Sequence, residues 1–123
     1  MTITVAVCTR NRPTQLATSL EAVQKLFPAP DEVLVVDNTT GDAETERIAR
    51  LFGARYVIEP TPGLNHAMKR ALAERQTDVI AFLRDDVIPA EHWIASLLPC
   101  NPESGLENGT DGKVFSIRAD VQR

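Results

Sequence analysis

The chain has 123 residues, 43% of them hydrophobic and 24% charged, which is typical of a globular protein with one core. A formal net charge of −4 excludes non-specific binding to nucleic acid, which requires a basic face. No apolar run approaches the roughly 18 residues that cross a membrane, and the first residues lack a secretory signal pattern. We therefore expect a cytoplasmic protein without a transmembrane segment.

The first part of the sequence predicts two strands separated by a helix. Residues 2–9 are rich in β-branched side chains and predict a strand, in which Cys8 is a reduced core residue. A helix is predicted to begin at Pro13. Its apolar face is formed by residues at helical spacing, namely Leu16, Leu20, Val23 and Phe27. Glu32–Asp37 is an apolar run with charged ends, which predicts a strand buried on both faces.

The same alternation continues along the chain. A second helix is predicted around Ile48, Leu51 and Phe52, with Gly53 as its C-terminal cap. Arg55–Ile58 predicts a short strand, residues 78–83 predict another, and residues 89–98 predict a short helix. Between the two strands, Leu64–Glu74 predicts a third helix. Its inward residues are predicted to be Leu64, Met68, Ala71 and Leu72.

Strands that alternate with helices predict an α/β fold with a mainly parallel sheet over residues 1–98. Residues 99–123 differ in character and predict an irregular tail. Residues 101–105 and 107–112 are rich in turn-forming residues and predict loops, and residues 113–117 predict one strand.

Three polar clusters follow predicted strands, at residues 9–12, 37–38 and 85–86. Because parallel sheets bind ligands at the carboxyl ends of their strands, these clusters predict a binding site. The turn at residues 9–13 contains no glycine, which excludes the glycine-rich dinucleotide and phosphate loops. Arg10 and Arg12 in this turn either hold a base or a diphosphate from one side, or pair with local carboxylates in a solvated loop.

The carboxylates at the strand ends also leave two interpretations open. Asp37 can accept hydrogen bonds from a ribose or a base, or it can satisfy its own turn. Asp85 and Asp86 are adjacent carboxylates that a hard cation such as Mg²⁺ or Mn²⁺ can compensate, with substrate phosphates completing its shell. Alternatively, one of them caps the next helix and the other is exposed. Arg84 beside them lowers the local negative charge and with it the need for a metal.

Three basic residues lie near the start of the third predicted helix, namely His66, Lys69 and Arg70. Cations and free amides at a helix N-terminus favour a diphosphate. A solvated helix face is the alternative.

Taken in order, these segments resemble the family 2 glycosyltransferases. The resemblance is carried by residues 5–13 (VAVCTRNRP), 35–40 (VVDNTT), 62–72 (PGLNHAMKRAL) and 80–89 (IAFLRDDVIP), followed by Trp93. It extends from about residue 3 to residue 98. The resemblance implies the Rossmann-like GT-A fold in truncated form, with a mainly parallel sheet and helices on both faces.

The resemblance also implies a function and a site. The sugar of a nucleoside diphosphate sugar would be transferred with inversion to an acceptor hydroxyl. A divalent metal, Mg²⁺ or Mn²⁺, would stabilise the departing diphosphate, and a carboxylate base would deprotonate the acceptor. Asp86 is implied as the metal ligand, and Asp85 lies near the ribose or diphosphate. The nucleotide-binding residues are implied to be Thr9, Arg10, Asn11, Arg12 and Asp37, with Lys69 as a substitute donor.

The sequence departs from the family pattern at three points. Arg84 stands where the acidic motif usually begins with another aspartate, and Lys69 ends a segment where Ala-Arg-Asn is usual. The family's acceptor half and catalytic base lie beyond the acidic motif, where this chain has few residues, so we assign no base.

Two hypotheses follow from these departures. The chain is either a glycosyltransferase, as a donor-binding fragment or completed by a partner chain, or an inactive nucleotide-binding or protein-interaction module on the same fold. Because a sheet that ends this early leaves apolar surface, we also expect self-association through the last strand or the helix of Trp93.

Overall fold

The computed structural model describes residues 2–26 and 29–85, together with the backbone of two strands at 106–109 and 112–116. The elements in chain order are β1 (Ile3–Thr9), α1 (Pro13–Gln24), β2 (Glu32–Asp37), α2 (Ala43–Leu51), β3 (Arg55–Ile58), α3 (Leu64–Glu74), β4 (Val79–Arg84), β5 (Leu106–Gly109) and β6 (Gly112–Ser116). Phe27, Asp86 and the helix predicted at residues 89–98 with Trp93 lie outside the described residues.

Within the described residues, the strands form one six-stranded sheet with the order β3-β2-β1-β4-β6-β5. β1 pairs in parallel with β2 and with β4, β3 continues in parallel on β2, and β6 continues in parallel on β4. β5 runs antiparallel to β6. The predicted α/β fold with a mainly parallel sheet is confirmed. The carboxyl ends of β1, β2 and β4 therefore lie side by side.

Side chains alternate between the two faces of the sheet, and each face has its own core. On one face, Ile3, Val5 and Val7 of β1 pack with the buried apolar residues of α1 and α2. Leu16 and Leu20 of α1 are fully buried there. Each such leucine contributes about 1.5–3 kcal/mol relative to an exposed one.

The opposite face of the sheet is covered by α3. Ala6 of β1 packs there with Leu34 and Ile80 from the neighbouring strands. Ala67 and Ala71 of α3 are fully buried against this face, and these small side chains let the helix approach the sheet closely. Helices thus cover both faces, as the resemblance implied.

Two predictions about local structure are wrong. Residues 107–109 were predicted as loop but belong to β5, which is paired with β6. Leu64 was predicted to face inward but is 59% exposed, because the first turn of α3 lies at the rim of a cleft. The predicted second helix is present as α2, in which Ile48 and Ala49 are buried and the last residue, Leu51, is exposed.

The strand predicted at residues 113–117 is present as β6, but it has neighbours on both sides, β4 and β5. Self-association through the last strand or the helix of Trp93 stays a prediction. Among the described elements, β3 and β5 form the edges of the sheet. The domain boundary at residue 98 stays a prediction.

Within residues 2–26 and 29–85, no helix has the length and apolar character that crossing a membrane requires.

Candidate nucleotide-binding cleft

An open cleft of about 550 Å³ lies where β1 and β4 end and α3 begins. Four segments supply its described lining. These residues are Cys8, Thr9, Arg10, Arg12, Asn38, Gly63, Leu64, Ala67, Arg84 and Asp85. The strand-end clusters at residues 9–12, 37–38 and 85 thus meet at one edge of the sheet, as the parallel topology predicts.

Asp85 is the carboxylate of this cleft, and it is held by two elements. Its Oδ2 accepts a hydrogen bond from the Thr9 hydroxyl at 2.9 Å, and its Oδ1 lies 3.4 Å from Nη1 of Arg12. The Ser19 hydroxyl of α1 donates to the Asp85 carbonyl oxygen at 2.7 Å. Asp85 is only 6% exposed, so its carboxylate has a fixed orientation at the cleft wall.

Arg84 enters the same cleft from the other face of the sheet. It is the last residue of β4 and pairs in register with Cys8 of β1, so both continue the row of side chains that faces α3. Arg84 is exposed and Cys8 is half-buried, and the two line the cleft opposite Ala67. The sequence singled out Arg84 as a departure from the family pattern, but not as part of the site.

Burial raises the pKa of the Cys8 thiol to about 12, and the negative charge of Asp85 adds to this effect. At neutral pH the thiol is therefore protonated and unreactive. Cys8 is free of any disulfide, as predicted. It contributes neutral surface to the cleft rather than a nucleophile.

Asn38 clamps the loop that leads from β3 into α3. Its Nδ2 donates to the carbonyl oxygens of Glu59 and Thr61, each at 2.8 Å, and its Oδ1 accepts from the Gly63 amide at 3.0 Å. All the functional atoms of this buried side chain are thus used to hold one loop. The loop delivers Gly63, whose φ of 128° suits glycine, to the start of α3 and to the cleft wall.

A second, smaller cleft adjoins the first and shares Arg10 and Asn38 with it. Asn11 lies here with a φ of 55°, a left-handed conformation that asparagine tolerates better than most residues. The Arg10 guanidinium lies between the two clefts, and its Nη1 is 3.4 Å from the Asn38 carbonyl oxygen.

Asp37 does not line either cleft, and it is fully buried. Its carboxylate accepts hydrogen bonds from the Tyr56 hydroxyl at 2.5 Å, the Thr39 hydroxyl at 2.8 Å and the Asp42 amide at 3.1 Å. These contacts are the ones expected if Asp37 satisfies its own turn, and its contact with a nucleotide stays a prediction. Burial and the bond to Asp37 raise the pKa of Tyr56 to about 12.

The structure places the basic residues Lys69 and Arg70 of α3 away from the described lining of the two clefts, and a role of Lys69 in nucleotide binding stays a prediction. Lys69 is exposed and lines neither cleft, because it lies two residues after Ala67 and thus on the opposite side of the helix. Arg70 forms ion pairs with Glu74 at 3.1 Å and Glu59 at 3.9 Å. The solvated helix face, the alternative interpretation, fits both residues.

The described residues do not by themselves fit a divalent cation. They contain no group of three or more histidine, cysteine or acidic side chains able to hold a metal. In the described lining of the larger cleft, Asp85 is the single carboxylate, it already accepts from Thr9 and Arg12, and Arg84 places a positive charge beside it. Asp86, the predicted metal ligand, lies outside the described residues.

A polar, arginine-lined cleft at the carboxyl edge of a parallel sheet is characteristic of α/β proteins that bind nucleotides. The chain belongs to the glycosyl transferase family 2. Glycosyl transferase family 2 matches residues 4–99, which is most of the chain.

Two mycobacterial relatives support this assignment at the level of sequence. Uncharacterized glycosyltransferases of Mycobacterium tuberculosis and Mycobacterium bovis are each 37% identical over 68 residues, which cover 55% of this chain and 31% of the relative. The chain thus spans less than a third of the length of these relatives.

Solved structures are similar to the same part of the chain. Glucosyl-3-phosphoglycerate synthase from M. tuberculosis, in complex with Mn²⁺, UDP and phosphoglyceric acid, has a TM-score of 0.65 and 28% identity, covering 83% of this chain and 38% of that protein. The same enzyme with Mn²⁺, UDP-glucose and phosphoglyceric acid has a TM-score of 0.63 and 29% identity over 73% of this chain and 35% of that one. Mannosyl-3-phosphoglycerate synthase from Rubrobacter xylanophilus, at 21% identity with a TM-score of 0.67 over 88% and 44% of the chains, supports the GT-A fold.

Proposed function

We propose that the chain binds a nucleoside diphosphate sugar in the cleft at the ends of β1 and β4, as the donor site of an inverting glycosyltransferase. The observation that carries this proposal is the meeting of three arginines, Arg10, Arg12 and Arg84, in one cleft with the oriented carboxylate of Asp85. A diphosphate matches such a set, because guanidinium groups donate paired hydrogen bonds to phosphate oxygens. Family membership and the UDP-bound synthases of similar fold support the same ligand class.

The charge of the cleft suits the chemistry of transfer. An acceptor hydroxyl oxygen would form a bond to the anomeric carbon as the bond from that carbon to the diphosphate oxygen breaks. The acceptor loses its proton to a base, and the electron pair of the broken bond leaves with the diphosphate. Guanidinium groups near the leaving oxygens would stabilise this developing negative charge. No residue of this chain is assigned as the base.

Three other expectations stay predictions. The first is a metal ion, Mg²⁺ or Mn²⁺, held by Asp86. The Mn²⁺-bound synthases of similar fold support the use of a metal, though they do not assign it to Asp86. The second is a cytoplasmic location. The third is a partner chain or a second copy that completes the fold.

Calorimetric titration with UDP and with GDP, in buffer containing Mn²⁺, tests the donor site. Arg12→Ala is the informative variant, and Arg47→Ala is its matched control, because both arginines are exposed and each is paired with one carboxylate. We expect Arg12→Ala to weaken binding at least about tenfold, as loss of one charge-assisted contact does. Arg47→Ala should bind as the unmodified chain does.

Absence of saturable binding for both nucleotides would refute the donor-site proposal. The protein-interaction module on a GT-A fold would then be the better explanation of the sequence. Equal weakening of binding by Arg12→Ala and Arg47→Ala would also contradict the proposal. The affinity would then depend on the overall charge of the protein and not on contacts in the cleft.

A further inference from the structure

Ser19 is a polar residue on the apolar face of α1. The buried residues of this face are Leu16, Ser19, Leu20 and Val23. Burial of a hydroxyl costs free energy unless the group finds a hydrogen-bond partner. Alanine would fill nearly the same volume without that cost, and it favours a helix more strongly than serine does. The packing of the core therefore does not account for a serine at this position.

The Ser19 hydroxyl is directed at the residue that follows β4. It donates a hydrogen bond of 2.7 Å to the carbonyl oxygen of Asp85. β4 is paired with β1 as far as Arg84, so Asp85 is the first residue beyond the paired part of the strand. A side chain from α1 thus holds the backbone at the point where the pairing with β1 ends.

Asp85 is held at its side chain as well as at its backbone. Thr9 donates to one carboxylate oxygen at 2.9 Å, and Arg12 lies 3.4 Å from the other. A carboxylate that is held only through its own oxygens still moves with its backbone, and the bond from Ser19 restrains that backbone. Arg12 and Ser19 are about two helical turns apart, so one face of α1 presents both residues to Asp85.

We infer that Ser19 is a positioning residue of the donor site, which fixes the backbone of Asp85 and with it the direction of the carboxylate. The inference rests on the proposed donor site. Ser19 does not belong to the described lining of either cleft, so it acts on the nucleotide through Asp85 and not by contact. A carboxylate at the end of a parallel strand accepts hydrogen bonds from ribose hydroxyls. An acceptor that is already oriented binds more tightly, because less freedom is lost on binding.

Calorimetric titration in buffer containing Mn²⁺ compares Ser19→Ala with Val23→Ala. The ligand is UDP, or GDP if only GDP binds the unmodified chain. Both substitutions change buried residues of the same helix face, and each should lower the urea midpoint by roughly 0.5–2 M. We expect only Ser19→Ala to weaken nucleotide binding, by about three- to tenfold, which is the effect of losing one hydrogen bond. Val23→Ala should bind as the unmodified chain does.

A double-mutant cycle determines whether the effect passes through Asp85. Asp85→Ala removes the carboxylate and leaves Arg10 and Arg12 in the cleft, so binding of the diphosphate should remain measurable at millimolar nucleotide. In this background, adding Ser19→Ala should change the dissociation constant by less than about twofold. A residue that only stabilises the fold would have the same effect on binding in both backgrounds.

Ser19→Cys provides a second variant at the same position. Its thiol is a weaker donor than the hydroxyl, so its affinity should lie between those of the unmodified chain and Ser19→Ala. If circular dichroism shows that Ser19→Ala does not fold, Ser19→Cys takes its place in both titrations, with the same criteria.

The outcomes separate this inference from the proposed function. If the unmodified chain binds nucleotide and Ser19→Ala binds as tightly, or if Val23→Ala weakens binding as much, the inference is overturned and the donor site stands. If the weakening by Ser19→Ala persists in the Asp85→Ala background, Ser19 does not act through Asp85, and the inference is again overturned. If neither nucleotide binds the unmodified chain, the proposed function fails, and the inference fails with it.

Discussion

Asn38→Asp is the sharpest test of how the cleft is built, because it replaces one side-chain atom and keeps the shape. The native Nδ2 donates to the Glu59 and Thr61 carbonyl oxygens at 2.8 Å each. A carboxylate oxygen in its place cannot donate and would face both carbonyl oxygens at that distance. The bond from the Gly63 amide to Oδ1 is preserved.

The size of the effect follows from these contacts. Two hydrogen bonds of about 1 kcal/mol each are lost, and two carbonyl oxygens then face a negative charge beside a side chain that is 6% exposed. We expect a loss of about 2–4 kcal/mol in the free energy of unfolding. That is a large part of the roughly 5–15 kcal/mol that stabilises a typical domain.

Urea denaturation at pH 7 measures this loss as a fall in the midpoint of about 1–2 M. The loss should shrink at lower pH, because burial near two carbonyl oxygens raises the pKa of the introduced carboxyl, and its protonated form can again donate one bond. Asn65→Asp is the matched control, since Asn65 is exposed on α3 and the same substitution there should leave the midpoint unchanged or slightly higher.

A change in stability below about 0.5 kcal/mol at pH 7 would refute the reasoning, since this is the size expected of an ordinary surface substitution. An equal loss in the free energy of unfolding for Asn65→Asp and Asn38→Asp would also refute it. Nucleotide titration of the same variant adds a second readout. If the clamp positions the start of α3, UDP affinity should fall with the stability.

Two further predictions rest on pKa shifts. Alkylation of Cys8 by iodoacetamide at pH 8, measured by peptide mass spectrometry, should be slower than that of an ordinary thiol by a factor on the order of 1000. A pKa of about 12 instead of 9.0 lowers the thiolate fraction by that factor. A rate like that of glutathione would contradict the burial of this thiol. Bonds from the Thr45 hydroxyl and amide to the Asp42 carboxylate, which caps α2, lower the pKa of Asp42 below 3.8, so the unfolded chain binds more protons than the folded one. The stabilisation is therefore complete at neutral pH and is lost as the pH falls below about 3.8. From pH 7 to pH 3 the urea midpoint of the unmodified chain should fall relative to that of Asp42→Asn, whose cap cannot titrate. A difference between the two midpoints that is the same at both pH values would refute this.

Much of the fold was readable from local patterns in the sequence. β2, β3 and α3 have the predicted bounds, and β1 and β4 differ by one residue at their ends. These elements are defined by the periodicity of apolar residues, which depends only on neighbours along the chain. β5 was missed because it ends in the turn-forming residues Asn108 and Gly109, and only its pairing with β6 makes it a strand.

The general position of the site was also readable, whereas the roles of single residues were not. Thr9, Arg12 and Asp85 meet as expected, since parallel strands bring their carboxyl ends to one edge. Asp37, in contrast, is hydrogen-bonded within its own turn, and Lys69 lies on the side of α3 opposite the buried Ala67. Both residues are of the right type for a nucleotide site, but a residue type does not specify the direction of a side chain.

The sequence by itself determined the α/β class, the order of most strands and helices, and the edge of the sheet at which the cleft lies. These follow from interactions between residues that are close in the chain and from the rule that parallel strands end together. The tertiary structure decided which side chains reach the cleft. Arg84 faces α3 because of the register between β4 and β1, and Asn38 holds a loop more than twenty residues away. Contacts between segments distant in sequence set both of these features, and such contacts leave no periodic signal in the chain.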